Sequence, residues 1–342
     1  MFRKLTAATL VLTALTLLSY LGWTLSQHPE ELVERALPGL PLLLVLVVDG
    51  LVARYLCSSK PWSYRRLVPI FLLLVTSVGM ASYAVAVVYV DHMLAERTHE
   101  GVVNDCHKVW AARGLVREGP NITRNGTQNS IESIQLAFDE GAQGTEVDVF
   151  FDTEMGHFIV SHDRPYNLKN GELLTLAALL KATGADGAFW LDFKKLRMLD
   201  DAGLAAAVAE LEELTLMGGL KQRFYVEGED PINLSAFRDA GFKTILDTHP
   251  LPDSNFVTPG LINLYKLLFY FGDFTVMGMN YGMLDDPIYG ARTRQSLGTI
   301  PVFIYHVDDD ASVLDELTHL EAVRVILVKN HSVNRYDLSG CP

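Results

Sequence analysis

After residue 107 the sequence alternates between short apolar runs that resemble β-strands and longer runs that resemble helices. Such alternation predicts a parallel sheet covered by helices, and eight strand–helix units within residues 107–342 predict a (β/α)8 barrel. The predicted fold class is therefore α/β, a TIM barrel preceded by an N-terminal helical region. The predicted strands are 109–112, 145–151, 188–196, 223–228, 243–247, 274–279, 301–307 and 323–328.

Polar residues follow the predicted strands at or near their carboxyl ends. In a (β/α)8 barrel these ends meet at one mouth, where the chemistry of such enzymes is found. We therefore expect a polar site at that mouth. Its candidate members are Arg113, Glu146, Asp148, Asp192, Lys194, Glu227, His249, Asn280, His306 and Lys329.

The second predicted strand carries two acids, Glu146 and Asp148, spaced two residues apart. Residues at this spacing point to the same face of a strand. Two adjacent carboxylates repel each other unless a cation lies between them, and Mg²⁺ and Ca²⁺ prefer oxygen ligands. The alternative is that both acids lie on the solvent face of an edge strand. Arg113-Gly114 upstream and His162-Asp163 downstream favour a site.

Four motifs in order resemble the glycerophosphodiester phosphodiesterase family, within the wider phospholipase-C-like phosphodiesterases. They are Arg113-Gly114, Asn129-Ser130, Glu146-x-Asp148 and His162-Asp163, and the resemblance is clear over residues 108–194. The chain departs from the family pattern at two positions. Ala112 stands where the family has its first catalytic histidine, and Gln128 stands where it has a metal-binding glutamate.

The resemblance implies a divalent metal, Mg²⁺ or Ca²⁺, and a phosphodiester substrate. The implied metal ligands are Glu146, Asp148, Asp192 and the uncharged Gln128. The implied catalytic residues are His162 as general acid or base, with Arg113 and Lys194 binding phosphate oxygens. Alanine cannot transfer a proton. Either His249 or His306 therefore supplies this function from across the mouth of the barrel, or the reaction is slow or absent. The alternative role of Lys194 is structural, as the partner that neutralises Asp192 in an ion pair.

Three apolar runs near the N-terminus, 5–25, 37–56 and 67–90, have the length of membrane spans. A cleaved signal peptide is the alternative for the first run. With three spans, the lysines and arginines of the flanking segments place the barrel outside the cytoplasm. If the second run, which contains Asp49, does not span, the barrel faces the cytoplasm. The predicted domains are a membrane anchor (1–95), a connector (96–106) and the barrel (107–342).

Cysteine usage and net charge bear on compartment and partners. Cys106 and Cys341 bracket the barrel sequence, so they either form a disulfide or are unrelated thiols. The formal net charge of −13 disfavours nucleic acid as a partner, since nucleic acid is bound by basic patches.

The leading hypothesis is a membrane-anchored, metal-assisted phosphodiesterase that acts on a glycerophosphodiester or a phospholipid head group. The second is a catalytically impaired barrel that binds a phospholipid-derived or envelope ligand. The third is a membrane scaffold that uses the barrel as a docking surface.

Overall fold

The computed structural model describes residues 64–117, 128–169, 171–184, 187–248, 257–285, 290–329 and 335–336. Contacts divide the chain into two compact units, Met1–Arg97 with Asp253–Leu267, and Thr98–Pro252 with Leu268–Pro342. The predicted spans 5–25 and 37–56 lie outside the described residues, as do His249 and Cys341. Cys106 is disulfide-bonded.

The second unit contains the predicted barrel. Eight strands pair in parallel, and the pairing of β1 with both β2 and β9 closes the ring. The strands are β1 (Val109–Ala112), β2 (Gly144–Asp152), β3 (His157–Val160), β4 (Ala188–Phe193), β5 (Phe224–Gly228), β6 (Lys243–Thr248), β7 (Val276–Asn280), β8 (Val302–Val307) and β9 (Val323–Val328). The predicted (β/α)8 barrel is thus confirmed.

Strand β3 is the one element of this sheet that the alternation did not predict as a strand. It pairs antiparallel with residues 149–152 of β2, whereas β4 pairs in parallel with residues 144–149. The long β2 therefore extends past the barrel wall, and the chain returns along that extension. This return places the loop after β3 next to Asp148, where β2 leaves the barrel wall.

The helices begin where the sequence offers hydrogen-bonding caps. Ser130 and Ser133 form a capping box at the start of α2, and Asp230 and Asp310 cap α5 and α9. The helices are α1 (Tyr64–Glu96), α2 (Ile131–Asp139), α3 (Leu176–Thr183), α4 (Asp201–Leu216), α5 (Pro231–Asp239), α6 (Val257–Phe271), α7 (Gly282–Asp285), α8 (Gly290–Leu297) and α9 (Ala311–His319).

An apolar layer fills the barrel interior beneath the mouth. Its buried strand residues are Trp110, Trp190, Tyr225, Ile245, Val276, Phe303, Val325 and Leu327. On β2 the corresponding position is Gly144, where an ideal Cβ would lie 2.4 Å from Cδ2 of Trp110. Glycine at this position leaves room for the indole. Because side chains alternate along a strand, the next inward positions toward the carboxyl ends carry the polar residues of the site.

The first unit contains α1 and the N-terminal part of α6. Among the described residues, Val75–Glu96 is the single stretch long and apolar enough to cross a membrane. Within this unit Asp91 of α1 forms an ion pair with the buried Lys266 of α6. The third predicted span is thus a helix, and the membrane-spanning role of all three runs remains a prediction.

Candidate active site

Three of the four predicted metal ligands converge on two adjacent strands, β2 and β4. Asp148 of β2 lies opposite Asp192 of β4, and Glu146 lies opposite Ala112 at the end of β1. Oxygen atoms of Glu146, Asp148 and Asp192 lie within 4.8 Å of one another. The sequence prediction that Glu146 and Asp148 share a face therefore agrees with the barrel, and this face is the inner one.

Asp148 is the most enclosed member of the group, with no exposed surface. Its Oδ2 lies 3.0 Å from Nε of Arg113, and its Oδ1 lies 2.9 Å from Nζ of Lys194. Asn129 completes the surroundings, because its Nδ2 donates to Oδ2 at 2.7 Å and its Oδ1 accepts from the Asp148 amide at 3.1 Å. Arg113, Asn129 and Lys194 together fix one orientation of this carboxylate.

Asn129 was part of a predicted motif but was not predicted as a site residue. Its backbone is left-handed, with φ of 54°, and its main-chain N–H donates to the main-chain carbonyl of Arg113 at 3.0 Å. Asparagine adopts this conformation more readily than most residues. Arg113 is also left-handed, with φ of 60°. Two left-handed turn residues, one after β1 and one before α2, are therefore joined by a main-chain hydrogen bond and hold their side chains against Asp148.

Burial and mutual repulsion determine the protonation of the three acids. Burial, followed by the charge of Asp148, raises the pKa of Glu146 to about 8. Burial likewise raises the pKa of Asp192 to about 6, with a further contribution from Asp148. Burial opposes ionisation of Asp148 too, but Lys194 and Arg113 outweigh it and hold its pKa below the ordinary value. Glu146 is therefore the member of the group that retains its proton at neutral pH.

The three acids fit a hard divalent ion. Metal–oxygen distances of ~2.0–2.6 Å place two ligand oxygens at most about 4–5 Å apart, which matches the observed separation of 4.8 Å or less. Oδ1 of Asp148 is buried, and its close contact, at 2.9 Å, is with Nζ of Lys194. Lys194 contacts both Asp148 and Asp192, so its ammonium group neutralises oxygens that a metal would bind. The predicted structural pair of Lys194 with Asp192 is thus also present.

A second set of acids lies next to the first and was not predicted as a group. Glu227 accepts from Nε1 of Trp190 at 2.7 Å, and Asp247 accepts from the Tyr305 hydroxyl at 3.1 Å. Burial and then Asp192 raise the pKa of Asp247 to about 7, and burial holds the pKa of Glu227 well above its ordinary value. The absence of a side chain at Gly278 leaves room for Glu227, since an ideal Cβ at Gly278 would lie 3.1 Å from Oε1 of Glu227.

His162 lies on the loop that follows β3. Its Nδ1 is 3.1 Å from Oδ1 of Asp163, and its side chain is 41% exposed. The neighbouring Ser161 amide donates to the carbonyl of Asp148 at 3.1 Å, which attaches this loop to β2. His162 is therefore solvent-accessible beside the site, and its catalytic role remains a prediction.

Gln128 lies on the turn that precedes Asn129, and its main-chain carbonyl accepts from Nζ of Lys169. Burial lowers the pKa of Lys169, while Asp148 and Glu132 act in the opposite direction. Lys169 thus adds a third cation near Asp148. The metal-binding role of Gln128 remains a prediction.

No protein-family profile and no curated protein matches the chain. It is similar to solved glycerophosphodiester phosphodiesterases from Parabacteroides distasonis (20% identity, 66% of this chain and 93% of that chain, TM-score 0.47) and Thermotoga maritima (16%, 66% and 95%, 0.47). A third, from Agrobacterium tumefaciens, is 14% identical over 66% of this chain and 97% of that chain, with a TM-score of 0.46.

These solved proteins are glycerophosphodiester phosphodiesterases, which is also the family that the four sequence motifs resemble.

Proposed function

We propose that the chain is a membrane-anchored phosphodiesterase that cleaves a glycerophosphodiester or a phospholipid head group with the help of Mg²⁺ or Ca²⁺. The observation that supports this most is the convergence of Glu146, Asp148 and Asp192 beside Arg113 and Lys194 at one end of the barrel. Three acids next to two cations accommodate both a divalent metal and an anionic phosphoryl group. A site that bound a metal alone would not need the flanking cations.

Each side chain then has a defined task. Glu146, Asp148 and Asp192, with Gln128 as an uncharged fourth ligand, would hold the metal, which would supply Lewis-acid assistance to the phosphoryl group. Arg113 and Lys194 bind phosphoryl oxygens and offset the negative charge of the surrounding acids. His162 transfers the proton to or from the reacting oxygen. Asn129 holds the Asp148 carboxylate in one orientation through its two hydrogen bonds.

The proposed location is the extracytoplasmic side of a membrane, with residues 1–95 as anchor, 96–106 as connector and 107–342 as barrel. The disulfide at Cys106 supports an extracytoplasmic location, because disulfides persist in oxidising compartments. A tether of this kind places the barrel beside lipid-derived substrates. Nucleic acid is not proposed as a partner, given the net charge of −13.

The test is hydrolysis by the full-length chain in detergent micelles. With Mg²⁺ or Ca²⁺, we expect glycerophosphocholine to release choline, and EDTA to stop the release. His162→Ala should lower the rate ~10²–10⁴-fold. The matched control is His319→Ala, since the His319 side chain is 75% exposed on α9 and should leave the rate unchanged. Absence of choline release under all metal conditions would refute the proposal.

The second candidate function is binding without turnover. Two observations favour it: Ala112 occupies the position where the resemblance implies a histidine, and Lys194 already neutralises Asp148 and Asp192. A protein of this kind would bind glycerophosphodiesters or inorganic phosphate in a titration while releasing no alcohol. The third hypothesis, a scaffold, predicts neither metal binding nor phosphate binding.

A further inference from the structure

His306 occupies a strained position at the mouth of the barrel. It is the penultimate residue of β8 and has φ of 61°, a left-handed conformation that few residues other than glycine adopt. The pairing of β8 with β9 is irregular between Ile304 and Val307, on either side of this residue. Such outliers persist where the surroundings enforce them, and they concentrate at functional sites.

Asn280 of β7 fixes the orientation and the tautomer of the His306 ring. Oδ1 of Asn280 accepts from the Gly282 amide at 2.9 Å, so its Nδ2 is the atom that faces His306. Nδ2 lies 3.0 Å from Nδ1 of His306. Since an amide nitrogen only donates, Nδ1 must accept, and the ring proton of the neutral imidazole is on Nε2.

The charges around His306 keep the ring neutral. Burial lowers its pKa, and the cations of Arg113, Lys329 and Lys194 lower it further. These cations come from the ends of three other strands, β1, β9 and β4. The Tyr305 ring packs edge-on with a centroid distance of 5.1 Å. Protonation of Nδ1 would also place two donors face to face at the Asn280 contact.

This arrangement excludes one role for His306 and supports another. A general base needs a free nitrogen lone pair, but the Nδ1 lone pair is engaged by Asn280. The remaining nitrogen carries a proton and is a hydrogen-bond donor. Arg113 and Lys194, two of the three cations that lower the pKa of His306, are the proposed phosphoryl-binding cations.

We propose that His306 binds a non-bridging phosphoryl oxygen of the substrate as a neutral donor through Nε2–H, in the tautomer that Asn280 selects. It does not replace the proton-transferring histidine that is missing at Ala112. This inference rests on the proposed function, since it concerns the phosphoryl group bound at the same site.

Two substitutions at one position separate donation from proton transfer. Glutamine keeps an N–H donor close to the position of the histidine Nε2 and does not titrate, whereas alanine removes the donor. Both are L-residues at the same left-handed position, so backbone strain affects them alike. Binding of inorganic phosphate to the full-length chain in micelles is measured by titration calorimetry, alongside kcat and KM for glycerophosphocholine.

We expect His306→Ala to weaken phosphate binding and raise KM about 10–100-fold, as for loss of a hydrogen bond to a charged group. His306→Gln should stay within about threefold of wild type in both. A kcat that falls equally in the two variants, with phosphate binding unchanged, would overturn the inference in favour of proton transfer. Unchanged binding and kinetics in both variants would overturn it as well.

A second measurement tests the tautomer without any turnover. Long-range ¹⁵N–¹H correlation spectra of ¹⁵N-histidine-labelled protein distinguish a protonated Nε2 from a protonated Nδ1, and His306→Gln identifies the signals. We expect Nε2–H at pH 7, and finding Nδ1–H would overturn the inference. Failure of the proposed function is distinguishable: phosphate binding that depends on His306 without choline release rejects hydrolysis and leaves the donor role intact.

Discussion

Ionisation of Glu146 should make the metal-free protein less stable as the pH rises. Its folded pKa is about 8 and its ordinary value is 4.5. A group whose pKa is raised by folding contributes stability below its unfolded pKa, and that contribution disappears as the pH rises through the folded pKa. The relevant window is therefore pH 4.5–8, and stability falls as pH rises within it.

The magnitude follows from the two pKa values. At pH 6 the folded carboxyl is almost fully protonated, whereas at pH 8 it is half ionised. Between these pH values its contribution to the free energy of unfolding falls by about 2 kcal/mol. The comparison is between wild type and Glu146→Gln, which is neutral at this position throughout. Titrating groups distant from Glu146 contribute equally to both proteins, so their contributions cancel in the difference.

The assay is urea unfolding of the full-length chain in micelles with EDTA, followed by tryptophan fluorescence at pH 6 and pH 8. Trp110 and Trp190 are both buried in the barrel and report its unfolding. We expect wild type to lose about 2 kcal/mol relative to Glu146→Gln over this range. Parallel pH dependences for the two proteins would refute the claim that Glu146 is a buried, clustered acid.

Two further perturbations test neighbouring parts of the site. Asp148→Asn should lower the free energy of unfolding by ~3–5 kcal/mol, because it leaves Arg113 and Lys194 without their shared buried partner. The control Asp239→Asn, which removes an exposed ion pair, should change the free energy of unfolding by less than ~1 kcal/mol. Equal effects of the two substitutions in urea unfolding would contradict the central position of Asp148. Ala112→His should raise kcat for glycerophosphocholine by ~10²–10⁴-fold if a missing proton-transfer group limits the reaction. The control Ala112→Asn introduces a side chain that transfers no proton and should leave kcat unchanged. An equal gain in both variants would contradict this explanation.

The sequence predicted those features of the fold that depend on local periodicity. Strand–helix alternation predicted the eight parallel strands, and the two-residue spacing placed Glu146 and Asp148 on one face. Strand β3 was missed because its four residues follow a turn rather than a helix, outside the alternating pattern.

Features that depend on the register between strands were not predicted. The proximity of Asp247 to Tyr305, and of Glu227 to Gly278, depends on how strands distant in sequence are staggered around the barrel. The role of Asn129 depends on a left-handed turn that composition does not specify. The Asn280 contact of His306 likewise joins residues on two strands.

The central claim is that Glu146, Asp148 and Asp192 together bind a divalent cation. Titration calorimetry of EDTA-treated full-length protein with Ca²⁺ and Mg²⁺ at pH 8 tests it most directly, with Asp192→Asn and the surface variant Asp239→Asn as the matched pair. We predict one ion bound per chain in wild type and Asp239→Asn, with binding weakened at least ~10-fold in Asp192→Asn. Wild-type protein that binds neither ion, or Asp192→Asn that binds as tightly as wild type, would contradict the claim.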